Sequence, residues 1–171
     1  MLLALFCSCA ATNRYAAASD TIEYRGERIK LSKAYSDFDV YKNDPDNIHP
    51  SETERVQRLV MEAPIAREFD NLLEVSKAVV DLSFPGYGTG GFEEKKHPDG
   101  TSYIAFMIEI PRAEKDRYFA FRGVNGKYQL IDDFIAPEHP YISTVDEQNG
   151  SLVYSGPKGQ RVMTRPLVIP K

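Results

Sequence analysis

Residues 102–110 alternate without a break. Ile104, Phe106, Ile108 and Ile110 fall on one side, and Tyr103, Ala105, Met107 and Glu109 on the other. Side chains of an extended chain point to opposite faces with period two, so this stretch predicts a strand with one strongly apolar face. Two more extended stretches, 117–124 and 127–135, flank Asn125-Gly126. That dipeptide accepts the two positive φ angles of a type I′ turn, whose twist matches the strands it joins. A hairpin-rich antiparallel centre follows, and every other segment has to pack around it.

Turn signals recur at His97-Pro98-Asp99-Gly100, Asn149-Gly150 and Gly156-Pro157-Lys158-Gly159, where proline presets φ and glycine takes the left-handed position. They bound further strands expected near 91–96, 151–155 and 161–168. Residues 21–31 alternate more weakly around Gly26 and read as a strand or hairpin.

Ser51-Glu52-Thr53-Glu54 is a capping box ahead of the apolar stripe Val56, Leu59, Val60 and Ala63, so a helix starts there and Pro64 stops it. A second helix is expected directly after Pro64, with Ile65, Phe69, Leu72, Leu73 and Ser76 on one face. Its end falls between Lys77 and Phe84, and periodicity leaves residues 79–84 open between helix and strand. The expected fold class is α+β: two helices packed on a mostly antiparallel, hairpin-rich sheet. With 171 residues the chain fits one such domain, residues 19–171, after an export signal in residues 1–18.

The signal is read from the apolar run Leu2 to Ala11, which is followed at once by Thr12-Asn13-Arg14. The run has the length of a signal-peptide core and falls short of the roughly 20 residues a membrane-spanning helix needs. Phe6-Cys7-Ser8-Cys9 resembles the lipobox of bacterial lipoprotein signals, with Ser8 before the cut and Cys9 as the lipidated residue. Phe6 stands where leucine is usual in that family. Ala16-Ala17-Ala18 offers a rival small-x-small cut of the ordinary secretory kind. The resemblance implies an exported protein, periplasmic or lipid-anchored to the envelope, that touches the membrane only through its anchor.

Composition narrows the function classes. The net charge is −4 and no basic run exceeds Lys95-Lys96, which argues against nucleic acid, whose binders need a basic face. No cysteine follows Cys9, so the folded domain has no disulfide, thiolate nucleophile or cysteine-based zinc site. The acids Asp37, Asp39, Asp44 and Asp46 do not make an EF-hand. Counting from Asp37, the sixth and twelfth positions are Lys42 and Ile48; from Asp44 they are His49 and Arg55. His49, His97 and His139 each adjoin a proline and read as turn residues rather than metal ligands or bases. No metal or cofactor is expected, and no G-x-S-x-G elbow or other credible nucleophile occurs.

Gly86-Tyr87-Gly88-Thr89-Gly90-Gly91 fits G-x-G-x-x-G, but no helix follows to receive a phosphate. It reads as a flexible loop whose aromatic neighbours Tyr87 and Phe92 suit recognition of a partner. Regular pairing about Asn125-Gly126 sets Phe121 against Leu130 and Phe119 against Asp132, which would put a carboxylate on the apolar face. A bulge at Asp132-Asp133 that leaves both acids solvated is the preferred reading.

The function expected is a non-enzymatic module of the bacterial envelope that binds a protein partner. Inhibitor and immunity proteins against envelope-acting toxins belong to that class. The alternative is a small-ligand binder or weak hydrolase, with a pocket between helices and sheet lined by Tyr128 and Asp132. Its order of elements is loosely similar to cystatin-like and nuclear-transport-factor-like cones.

Overall fold

A computed structural model describes residues 21–31, 52–91, 95–137, 140–156, 158 and 160–169. Residues 1–18, expected to be an export signal and including Cys7 and Cys9, lie outside the described residues, as do the acids between residues 37 and 46, Ser51, Phe92, His49 and His139.

The elements run β1 (Thr21–Tyr24), β2 (Glu27–Lys30), α1 (Glu52–Glu62), β3 (Glu68–Phe69), α2 (Leu72–Leu82), β4 (Thr89–Gly91), β5 (Lys95–Lys96), β6 (Ser102–Glu109), β7 (Asp116–Val124), β8 (Lys127–Ala136), β9 (Tyr141–Asp146), β10 (Ser151–Ser155) and β11 (Arg161–Pro166). The fold is α+β and its sheets are antiparallel. The largest sheet has the order β3-β8-β7-β6-β4, with β5 also on β6. Strands β9–β11 form a separate meander, and β1–β2 a hairpin. Asn125 and Gly126 sit at φ 52 and 79, the type I′ geometry expected of the β7–β8 turn.

One face of the large sheet is covered by helices. Val56 and Val60 of α1, with Val75, Val79 and Leu82 of α2, are buried against Ile104, Phe106, Ile108, Phe119 and Phe121. The second helix starts later than expected. Residues 64–67 lie outside any helix or strand, and Arg67 O and then β3 pair with β8 before Asn71 caps α2. Asn71 Oδ1 accepts from Glu74 N–H at 3.0 Å while Glu74 accepts from Asp70 N–H at 3.0 Å. The cap satisfies Glu74 N–H, which the first helical turn leaves open, and the Glu74 carboxylate reaches back to the residue before the cap. Phe69, counted above as a helical position, stacks edge-on against Phe121 at 5.7 Å. Residues 79–82 belong to the helix.

The other face is not open as a half-buried strand requires. β9–β11 close it, placing Ile142, Leu152 and Tyr154 on Tyr103, Ala105, Tyr118, Ala120 and Phe134. Strand β6 is therefore buried on both sides along most of its length. The domain has three layers: helices, central sheet, meander.

Candidate functional site

The β7–β8 hairpin pairs regularly from Val124↔Lys127 to Phe121↔Leu130, and the next pair is Ala120↔Asp132. Ile131 is the extra residue of a bulge, which re-aims the side chains beyond it. Asp133 now stands opposite Phe119 on the helix side, and Asp132 opposite Ala120 on the meander side. The expected bulge is present, but Asp132 is not solvated: its side chain is only 7% exposed. A second apolar layer, which the local pattern does not announce, covers it.

Each carboxylate has its own arginine. Asp132 Oδ2 accepts from Arg165 Nε at 2.6 Å and from the Tyr154 hydroxyl at 3.1 Å. Its Oδ1 accepts from the N–H of Asp133 at 3.0 Å. Arg165 also lies 4.6 Å over the Phe134 ring. Burial, and next the negative charge of Asp132, push the Tyr154 phenol far above the usual tyrosine range. Asp133 receives both Nε and Nη2 of Arg117, at 2.8 and 2.6 Å. Arg117 Nη1 donates to the carbonyls of Val60 and Ala63, each at 2.8 Å. A buried cation thereby closes the C-terminal end of α1, where carbonyls lack helical partners. Both carboxylates are thus engaged by structural partners. Together they tie the central sheet to the layer on either side.

Beside the bulge runs an open groove of about 430 Å³. It is lined by Ile65 and Arg67 from the segment before β3, by Leu130, Asp132 and Asp133 of β8, and by Val168. Val168 is 60% exposed.

Tyr128 is elsewhere. It lines a separate groove of about 480 Å³ with Phe69, Val124, Arg122 and Lys127. Its ring crosses Gly123, where a Cβ would stand 2.7 Å from Tyr128 Cε1 and 2.5 Å from Ser102 Oγ. Tyr128 belongs to the helix-side core and Asp132 bonds to the meander, so they do not share a pocket. Tyr87 is half-buried, 6.1 Å from the Phe84 ring, and packs on the same helix-side core. Half of the glycine stretch is edge strand β4, paired with β6, rather than loop throughout. His97 accepts from Gly100 N–H in its tight turn and contacts the Tyr103 ring at 5.4 Å.

Sequence reasoning missed Arg117, Arg165, Arg67, Tyr154 and Val168. Arg117 did carry a signal, because it is in phase with Phe119 and Phe121 on the apolar side of a strand. The rest depend on which layer lands opposite. Among the described residues no group of three His, Cys, Asp or Glu is placed to hold a metal ion. No described helix is long and apolar enough to cross a membrane. Comparison with protein-family models, curated proteins and solved structures finds no match for this chain.

Proposed function

We propose that this is an exported bacterial envelope protein, lipidated at Cys9 or released into the periplasm, whose domain binds another protein through the groove beside β8. The lipobox resemblance supports the location. One observation carries the binding: the groove's two acids are occupied by structural arginines, while its rim offers exposed apolar surface at Val168. A site with its acids committed and an apolar rim suits contact better than proton transfer.

The test is native mass spectrometry of the mature protein captured from its own cell envelope. The expected result is a stoichiometric protein companion that is lost in Val168→Lys, with a chain mass that begins at a lipidated Cys9 or after Ala18. A chain that retains residues 1–18 overturns the export reading. A small-molecule adduct abolished by Asp132→Ala, with no protein companion, overturns the binding reading.

A further inference from the structure

Strand β8 has an outer edge that β3 covers only in part. β8 spans Lys127–Ala136, but β3 pairs only with Tyr128 and Gln129. Among the described residues the last bond along that edge is Leu130 N–H to Arg67 O, at 2.8 Å. Backbone groups of successive residues in an antiparallel strand point alternately to one neighbour and the other. The two-residue turn makes Val124↔Lys127 a bonded pair, so Tyr128 and Leu130 point outward, as their bonds to the segment 67–69 require. The bulge resets the count, and Asp133 and Ile135 are the next to point outward. Asp133 N–H is already taken by Asp132 Oδ1. Ile135 has no such neighbour among the described residues, and its side chain is 39% exposed.

The charge in the adjoining groove has a definite sign. Asp132 is matched by Arg165 and Asp133 by Arg117. Arg67 lines the groove, is exposed, and makes no side-chain ion pair or hydrogen bond among the described residues. Among the described lining residues it is the one charge that its neighbours do not balance.

We propose that this edge is where the partner binds: an extended partner segment adds as a strand along Asp133 to Ile135. Its apolar side chains meet Ile65 and Val168, and an acidic side chain meets Arg67. Main-chain bonds to an edge supply affinity in this mode, and alternate side chains in flanking pockets supply selectivity. The Asp132 carboxylate helps to select, because it occupies the Asp133 donor and so discourages indiscriminate edge pairing. The proposal rests on the protein-binding reading and gives it a recognition chemistry.

Two probes test it: a fluorescent hexapeptide of alternating valine and threonine with one aspartate, and its twin with lysine in that place. The aspartate peptide is expected to bind saturably and to protect the Ile135 amide from hydrogen exchange, with the lysine peptide weaker by about tenfold. Arg67→Glu, a surface change, should reverse that order. Ile135→Pro deletes an outward N–H, which an edge strand tolerates, and should abolish binding while thermal unfolding stays cooperative. No saturable binding, equal binding of both peptides, or an unprotected Ile135 amide overturns the proposal. If Arg67→Glu and Ile135→Pro still retain a companion captured from the envelope, the edge inference fails while the binding-module reading stands.

Discussion

The two faces of the central sheet are covered by different physics. On the helix side, valines and leucines of α1 and α2 meet phenylalanines and isoleucines, and burial of apolar area supplies most of the hold. On the meander side the apolar contact is smaller and tyrosines carry it. Tyr118 stacks on Phe134 at 5.3 Å, and Phe134 meets Tyr154 edge-on at 4.9 Å. Their hydroxyls, with that of Tyr103, bond to Asp116, Asp132 and Glu147. Apolar packing tolerates sliding between surfaces, whereas the Tyr154–Asp132 and Tyr103–Glu147 bonds cross from sheet to meander and fix how the meander sits; the Tyr118–Asp116 bond stays within β7. The helix layer supplies bulk, and the meander is held by specific polar contacts at its margins.

The change that tests this contrast hardest is Arg117→Met, on the helix side. That layer's principal polar tie is Arg117, 5% exposed, holding two carbonyls and one carboxylate. Methionine fills the volume but leaves those acceptors unpaired, so urea unfolding should show a loss of about 3 kcal/mol. A loss under about 1 kcal/mol would mean that Asp133, a third exposed, rehydrates freely and that apolar packing alone holds the layer.

Next in size is Asp132→Ala. Arg165, 35% exposed, can turn to solvent, but the Tyr154 hydroxyl cannot, since Tyr154 is 1% exposed. The expected cost is about 2 kcal/mol, set by one buried donor left without its acceptor. Hydrogen exchange should locate that loss in β9–β11 while the β6–β7 amides stay protected, because regions with few apolar contacts open first. Uniform loss across all strands would show that the meander is not a separately opening unit.

How far the sequence speaks differs between these layers for the same reason. The β7–β8 hairpin is legible because its signal is local: two positive-φ positions between alternating strands. The α1 stripe is legible because helical period and a terminating proline agree. Strand β9 was not anticipated. Tyr141–Asp146 carries Ser143 and Thr144 at its middle, and Ile142 is its one buried side chain among those described; the rest is set by pairing with β10. The start of α2 is not legible, because Ile65, Phe69 and Leu72 fit a helical period by spacing alone, while the Asn71 cap and β8 decide otherwise. Asp132 shows the limit most sharply. A bulge can be suspected from two adjacent acids, but what covers Asp132 depends on Tyr154 and Arg165, 22 and 33 positions away.

The smallest effect tests the meander through its tyrosines. Burial, and next the hydrogen bond donated to Glu147, push the Tyr103 phenol up to about 12. Burial also raises Tyr118 and Tyr154 on the same side. In the unfolded chain a phenol ionises near 10, so from there upward the unfolded state binds fewer protons than the folded one. Stability is then complete below pH 10 and falls as pH rises through about 12. Tyr103→Phe should cost about 1 kcal/mol near neutrality and make the alkaline decline shallower. On the helix side Tyr24 is also raised by burial, and its hydroxyl donates to Leu82 O at 2.5 Å. Tyr24→Phe is the matched control. If alkali first releases β9–β11, Tyr103→Phe should shift the onset seen at meander amides and Tyr24→Phe should not. An equal shift from both would mean that the layers come apart together, and that their different chemistry does not divide the domain into separate units.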